Sequence, residues 1–138
     1  MVEANTEKIL LEIVTPERVV VAESVDEVVL PGIEGEFGVL PGHIPFLTAL
    51  KVGELVYRSG SLKEHLAVSW GYVEVTADSV KVLAETAEKA TEIDLSRAET
   101  ARNEAEKILS AGREDPEYEK AKVTLEKAVI RVQVAGRR

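Results

Sequence analysis

The 138-residue chain contains no cysteine, and this absence removes several kinds of chemistry. It excludes a disulfide framework, a thiolate nucleophile and a cysteine-based zinc cluster. Two histidines, His43 and His65, are too few for most metal sites, so we expect no metal centre. No apolar run approaches the roughly 18 residues of a membrane-spanning helix, so we expect no direct span. The start, MVEANTEKILLEIV, carries acids where a secretion signal carries positive charge, and we expect no secretion.

The net charge of −8 is unevenly distributed along the chain. Residues 1–84 hold 6 basic and 13 acidic side chains, whereas residues 120–138 hold 6 basic side chains and one acidic one. This asymmetry indicates a basic arm that reaches an acidic surface. An equally good alternative is a solvated helix end whose bases complement the helix dipole. We expect no nucleic-acid partner, because neither an aromatic platform nor a nucleic-acid motif accompanies the charge.

Up to Ala84 the sequence is typical of β-structure. Short β-branched runs, such as residues 9–14 and 25–30, are separated by turn signals, and RSGS at 58–61 marks a hairpin. Many short strands with close turns predict an antiparallel sandwich or barrel rather than βαβ units. Seven apolar residues form the predicted core: Val29, Leu55, Leu66, Val68, Val73, Val75 and Val82.

Beyond Ala84, alanine becomes frequent and the apolar period lengthens to that of a helix. Asp94 is placed to cap a first helix that ends at Gly112, and Pro116 suits the first position of a second helix. The short link between them predicts an antiparallel hairpin. We therefore predict an α+β chain in two parts: an N-terminal antiparallel β-sandwich or barrel at 1–84 and a C-terminal two-helix hairpin at 85–138.

The predicted hairpin has little apolar surface of its own. An alanine methyl contributes a fraction of the roughly 1.5–3 kcal/mol of a buried leucine, and short helices are marginal alone. The β domain, a ligand or another subunit must therefore hold the hairpin. A weakly held arm can work as a switch between partners. A passive brace is the simpler interpretation, and the periodicity alone favours it.

The segment GEFGVLPGHIPFL, residues 35–47, combines three glycines and two prolines with several apolar side chains. Glycines and prolines at such short intervals interrupt helices and strands, so the segment predicts a shaped loop packed by its own side chains. Such loops are common partner-binding sites. Glu36 and His43 supply one acid and one imidazole. They do not predict catalysis, because no nucleophile or third orienting group accompanies them in a recognisable motif. No Walker glycine loop is present, so we expect no ATP hydrolysis by this chain.

The same segment resembles the signature G-E-x-G-x-L-P-G-H-x-P-x-L of the epsilon subunit of F-type ATP synthases, called delta in mitochondria. LLEIVTPERVV resembles the first strand and turn of that family, and HLAVSWGYVEV resembles a later strand pair. IDLSRA, residues 93–98, resembles the motif I/L-D-x-x-R-A that opens the helical part. The resemblance covers nearly the whole chain, in the same order.

The resemblance implies a non-catalytic rotor subunit that couples proton flow to ATP synthesis. Its β domain would bind the gamma subunit and the ring of c subunits, with Glu36, Phe37 and His43 near those partners. A structural role for His43, locking its own turn, is at least as good an interpretation. The implied location is peripheral, on the cytoplasmic face of the bacterial inner membrane. The alternative is a free-standing ATP-sensing module with the same architecture.

For the hairpin, the resemblance implies a regulatory arm. When compact it lies on the β domain, and when extended it reaches the catalytic alpha and beta subunits and blocks ATP hydrolysis. The basic residues Lys122, Lys127 and Arg131 would then contact an acidic loop of a catalytic β subunit. Composition and resemblance agree on this basic arm.

The resemblance requires no cofactor, but it implies ATP as a regulatory ligand. The matching positions are Glu88, Ile93, Asp94, Arg97, Ala98 and Arg131. The chain departs from the ATP-binding pattern at Glu104 and Lys127, where arginines are expected, and an acid near phosphates weakens binding. The alternative, which we favour, is that Asp94 only caps its helix and Arg97 pairs with Glu92 or Glu88.

Overall fold

The computed structural model describes residues 7–138. Within this range the strands come first and the helices last. The strands are β1 (Ile9–Val14), β2 (Val19–Val25), β3 (Glu27–Gly32), β4 (Gly35–Val39), β5 (Phe46–Leu50), β6 (Gly53–Ser59), β7 (Leu62–Val75) and β8 (Ser79–Lys89). A 3₁₀ turn, Ala90–Glu92, leads to α1 (Leu95–Ala111) and α2 (Tyr118–Ala135).

Strand β7 joins the two halves of the β domain. Its first half pairs with β6 and its second half with β5, and β8 follows it along most of its length. The change of partner coincides with a bend at Trp70, which has a φ of 32°. Gly71 follows at a φ of 151°, where a Cβ would overlap the Leu83 carbonyl group. Glycine is therefore required at this bend.

The predicted β-sandwich is confirmed, with one correction to its antiparallel arrangement. The strand order is β2-β1-β8-β7-β5-β3-β4, with β6 bridging β3 and β7. Strands β1 and β8 run parallel, from the pair Leu10–Ser79 to the pair Val14–Leu83. Parallel neighbours need a long crossover, and here the other six strands provide it. The hairpin at RSGS, 58–61, is confirmed as the β6–β7 turn.

The core prediction is confirmed at six of its seven positions. Leu55, Leu66, Val68, Val73, Val75 and Val82 are all buried. The prediction for Val29 is wrong, because this side chain is only half-buried while its neighbours Val28 and Leu30 are fully buried. Successive side chains of a strand point to opposite faces, so Val29 lies on the outer face of β3.

Two predicted boundaries are corrected. Strand β8 continues to Lys89, beyond the composition change after Ala84, because Thr86 to Lys89 pair with the first half of β7. Ladder pairing overrides the weak strand propensity of alanine here. Helix α2 begins at Tyr118 and not at Pro116. The Asp115 carboxylate accepts a hydrogen bond from the Glu117 N–H at 2.8 Å, and this turn contains Pro116.

The helical hairpin is confirmed, including its first cap. The Asp94 carboxylate accepts a hydrogen bond from the Arg97 N–H at 3.1 Å, and α1 ends at Gly112, whose φ is 103°. The helices pack through buried alanines: Ala98 and Ala105 on α1, Ala121 and Ala128 on α2. Neither helix within residues 7–138 combines the length and apolar character needed to cross a bilayer.

Candidate functional site

The first half of the segment 35–47 is a strand rather than a loop. Residues 35–39 form β4, which pairs with β3 from Gly32–Gly35 to Val28–Val39. Because β4 lies at the edge of the sheet, its glycines cost little packing. The loop proper spans residues 40–45. Glu36 is exposed on β4, and Phe37 packs edge-on against Phe46 with ring centroids 5.1 Å apart.

His43 is held within the loop. Its Nδ1–H donates to the Ile44 carbonyl oxygen at 2.8 Å, and its ring centroid lies 5.4 Å from that of Phe46. Its backbone N–H donates to the Leu40 carbonyl at 3.1 Å. These are the contacts of a histidine that shapes its own turn. Within residues 7–138, no hydrogen bond or ion pair joins it to Glu36, which with Phe37 lines a separate shallow groove.

The loop and the start of β5 expose three large apolar side chains, which we call the apolar rim: Leu40, Ile44 and Leu47. They are 55%, 77% and 68% exposed. Neighbouring exposed apolar residues are a feature of surfaces that bind another macromolecule. The rim is therefore a candidate binding surface, whereas the contacts of His43 are within its own turn.

Helix α2 lies on the β domain, so the hairpin is in a compact position. Lys127 pairs with Glu85 at 3.3 Å and places its Nζ 4.7 Å from the Trp70 ring centroid. Arg131 donates two hydrogen bonds to the Glu88 carboxylate, at 2.7 and 3.2 Å. Two of the three predicted arm bases thus contact acids of the chain's own sheet. Lys122 does not, since it pairs with Glu119 on the same helix at 3.2 Å.

A cavity of 490 Å³ lies between α2 and the sheet. Three of the predicted nucleotide residues line it: Glu88, Arg97 and Arg131. The other three do not, since Asp94 caps α1 while Ile93 and Ala98 are buried in packing contacts. Four bases and three acids line the cavity in total: Arg18, Arg97, Lys127 and Arg131 against Glu17, Glu85 and Glu88.

Ion pairs already occupy most of the bases of this cavity. Arg18 donates two hydrogen bonds of 3.0 Å to Glu92, and they lower the pKa of that carboxyl. Since Glu92 binds Arg18 and Glu88 binds Arg131, the expected pairing of Arg97 with either acid is wrong. Arg97 is the cavity base that forms no ion pair within residues 7–138. An anion in the cavity can therefore pair with Arg97 without displacing a carboxylate that the structure describes.

Comparison with known proteins decides the family. Residues 8–90 match the family model described as ATP synthase, Delta/Epsilon chain, beta-sandwich domain, and residues 91–136 match its long alpha-helix domain. The chain belongs to the ATP synthase delta/epsilon family. It is 54% identical over 132 residues to the ATP synthase epsilon chain of Geobacter sp. (strain M21), covering 95% of this chain and 96% of that one. Identity to the epsilon chain of Syntrophobacter fumaroxidans is 54% over 129 residues, with 94% and 96% covered.

The fold of the family is also found in a solved structure. A chain of the Euglena gracilis mitochondrial ATP synthase, determined by cryo-EM as an OSCP/F1/c-ring assembly, superposes with a TM-score of 0.78. The superposition covers 93% of this chain and 81% of that chain at 24% identity. This likeness supports the two-part architecture of the delta/epsilon fold.

Sequence reasoning missed a second exposed apolar surface of this family member. Cross-strand pairing places Val14 beside Leu83, Leu83 beside Tyr72, and Tyr72 beside Ala49. We call these four residues the outer-face row. Tyr72 is 61% exposed and Leu83 is 49% exposed. The alternation of Tyr72 with the buried Val73 indicates in the sequence that Tyr72 lies on the outer face of β7. Its neighbours on β5 and β8 depend on the strand register, which the sequence alone does not give.

Proposed function

We propose that this chain is the epsilon subunit of a bacterial F-type ATP synthase, a rotor part of the central stalk that couples proton flow to ATP synthesis. The observation that carries the proposal is the match to bacterial epsilon chains over 95% of this chain and 96% of theirs. Both family domains are present in the same order. A free-standing sensor is not favoured, because these relatives are named as chains of an ATP synthase.

The β domain is the part we assign to the other rotor subunits. The apolar rim and the outer-face row leave large apolar side chains in water, and covering them with gamma or the c ring would stabilise the assembly. Glu36 lines one groove with Leu47 of the rim and lies on an edge strand, where its carboxylate can accept from a basic side chain or from backbone N–H groups. We assign the subunit, as part of its complex, to the cytoplasmic face of the bacterial inner membrane; no helix among residues 7–138 is long and apolar enough to cross that membrane.

The hairpin is the part we assign to regulation. In the compact position Lys127 and Arg131 bind Glu85 and Glu88 of the chain's own sheet. An acidic loop of a catalytic β subunit offers the same chemistry. For these two bases, extension of the arm exchanges one set of acids for another, so their net contribution to the free energy of extension is small. A small difference is what allows partners or ligands to shift the arm.

Binding to the central stalk tests the proposal. The chain is mixed with the gamma subunit and resolved by size-exclusion chromatography, with co-elution expected. The double variant Ile44→Ser/Leu47→Ser should weaken the pair. Val19→Ser is the matched control, since Val19 is an apolar side chain of similar exposure, 60%, on β2. Failure of the unaltered chain to co-elute would overturn the stalk assignment.

A second function has support from the cavity beneath α2. Its volume of 490 Å³ is in the range of small-molecule sites, and Arg97 and Arg131 line it. We propose ATP as a weak regulatory ligand there, one that would hold α2 against the sheet. Direct titration of the isolated chain with ATP tests this assignment separately from assembly.

A further inference from the structure

The end of α2 contacts the β domain through a cluster centred on Glu54 of β6. The Glu54 carboxylate accepts two hydrogen bonds from the Arg137 guanidinium, at 3.0 and 3.1 Å, and one from the Gln133 amide at 3.0 Å. His65 of β7 places its Nδ1 2.8 Å from the same carboxylate. The Glu54 side chain is only 13% exposed. Three side chains thus converge on a mostly buried acid.

The neighbouring residues fix the same end of the helix. Arg138 donates to the Ala90 and Ile93 carbonyl oxygens, both at 3.2 Å, which ties it to the connection between β8 and α1. Val134 and Ala135 are fully buried, and they pack with Ala67, Ala90 and Ile93. Residues 133–138 therefore bind the sheet and the β8–α1 connection at once.

The rest of α2 is held less firmly. The pair of Lys127 with Glu85 and the pair of Arg131 with Glu88 each involve more exposed acids, at 56% and 32%. The exposed pair of Lys127 with Glu85 contributes little, because water and salt screen it, whereas the partly buried pair of Arg131 with Glu88 stands alone, without the further donors that surround Glu54. Further along the hairpin, Arg113 and Glu114 in the α1–α2 link are exposed. Attachment is thus concentrated at one end.

We propose that residues 133–138 form a latch on Glu54, and that the Glu54–Arg137 contact sets how often the hairpin leaves the β domain. Glu54 is fixed by β6 and its neighbour β7, so it is a rigid anchor, whereas Arg137 belongs to the segment that must move. Undocking removes the Arg137 and Gln133 donors from Glu54, so their charge-assisted hydrogen bonds favour the docked form. The regulatory meaning of the latch rests on the proposed role of the arm, but the docking itself does not.

The distance between the hairpin and the sheet tests the latch in the full chain. Because the sequence has no cysteine, Ser61→Cys and Arg113→Cys introduce two specific spin-label sites, one at the β6–β7 turn and one in the helix link. Pulsed electron paramagnetic resonance then gives the fraction of molecules at the docked distance. Arg137→Ala should raise the undocked fraction about threefold to tenfold, the effect of losing a charged contact of this kind.

Three further variants sharpen the result. Glu54→Gln should act like Arg137→Ala, and the double variant should be no worse than either single one, because both remove the same contact. Glu27→Gln is the matched control, since Glu27 pairs with Arg58 on the β domain away from α2. Arg137 is 47% exposed at the end of the chain's last helix, so its variant leaves the sandwich core intact. Thermal unfolding checks that core in every variant.

An unchanged docked fraction in Arg137→Ala overturns the latch, as does a double variant whose effect is the sum of the two single effects. The regulatory proposal is judged separately, by ATP hydrolysis of the assembled complex. If Arg137→Ala raises the undocked fraction as expected while the rate of ATP hydrolysis stays unaltered, the latch is supported and the inhibitory role of the arm is contradicted. A docked fraction that does not move contradicts the latch whatever hydrolysis does.

Discussion

Arg131 of α2 and Glu88 of β8 are joined by two hydrogen bonds, 2.7 and 3.2 Å long, across the interface between the hairpin and the sheet. Arg131 is the residue that sequence resemblance assigns both to ATP and to a catalytic β subunit. In the compact form its guanidinium is already bound by an acid of the same chain. Any partner of Arg131 must therefore displace Glu88.

Removing the internal acids should favour the extended arm. In Glu85→Gln/Glu88→Gln the two ion pairs of Lys127 and Arg131 are lost, each contributing about 0.2–1 kcal/mol. We expect the assembled complex to hydrolyse ATP more slowly, since the arm leaves the sheet more often. Steady-state hydrolysis measures this, with Glu27→Gln as the control. Faster hydrolysis in the double variant would contradict the competition.

The three bases of the arm should differ in their effects. Among residues 7–138, Lys122 pairs with Glu119 and lies over the Tyr118 ring, both on its own helix, so Lys122→Ala should leave docking unchanged and reduce only the inhibition of hydrolysis. Lys127→Ala and Arg131→Ala should weaken both the docking of the hairpin and the inhibition of hydrolysis. Raised salt should mimic the loss of inhibition, because exposed charges are screened within about 8–10 Å. Spin-label distances and hydrolysis rates, measured on the same variants, separate docking from inhibition. If the triple variant Lys122→Ala/Lys127→Ala/Arg131→Ala, or the unaltered chain at high salt, inhibited hydrolysis as strongly as the unaltered chain at low salt, electrostatic attraction would be excluded as the cause of inhibition.

The stability of a truncated chain should depend on whether the cut falls before or after the end of β8. Deleting 93–138 keeps β8 whole, so the β domain should fold and bind the stalk while hydrolysis rises. Deleting 87–138 also removes the β8 residues that pair with Leu66, Ala67 and Val68. We expect this deletion to lower the free energy of unfolding by a further ~1–3 kcal/mol, because ladder hydrogen bonds and apolar contacts are lost. Chemical denaturation compares the two, and equal stability would contradict the structural role of residues 87–89.

The contrast between these cuts shows what sequence can and cannot predict. The Asp94 cap and the Gly112 stop follow from residues within one helical turn, and both are confirmed. The Glu54–Arg137 contact joins positions 83 apart, so no local pattern indicates it. The parallel pairing of β1 with β8 likewise depends on where distant strands meet. Local propensity predicted the elements, but their register and their ion pairs required the fold.

The pH dependence of docking should follow Glu54. Burial raises the pKa of this carboxyl, but hydrogen bonds from Arg137, Gln133 and His65 outweigh burial and leave the pKa below its ordinary value. A carboxyl whose pKa is lowered by docking stabilises the docked form above its ordinary pKa, about 4.3 for glutamate, and stops doing so as the pH falls through the lowered value.

The docked fraction should therefore be constant from neutral pH to about pH 5 and fall below it. Spin-label distances between pH 7 and pH 3 measure the fraction. In Arg137→Ala the main donor to Glu54 is missing, so the loss should begin at a higher pH than in the unaltered chain. A loss of docking between pH 6 and pH 8 would show that another group controls the hairpin.

Binding of ATP should be weak for reasons visible in the cavity. Glu88, Glu85 and Glu92 hold Arg131, Lys127 and Arg18, so phosphates must compete with three carboxylates. Glu104 and Lys127 replace arginines of the binding pattern, which lowers the attraction further. We expect a dissociation constant no tighter than roughly millimolar, about −4 kcal/mol.

Arg97 is the residue on which this weak binding depends. It lies in the first turn of α1, where free N–H groups and the helix dipole favour anions, and it lines the cavity without an ion pair in the described residues 7–138. Calorimetric titration or NMR shifts on the isolated chain should detect ATP at millimolar concentration. Arg97→Ala should abolish the signal, whereas Arg102→Ala, one turn further along α1 and outside the cavity lining, should keep it. If the helix resonances do not shift in several millimolar ATP, the ATP proposal is wrong. Asp94 is then only a helix cap and Arg97 only a surface charge, and the position of the hairpin is controlled by protein partners alone.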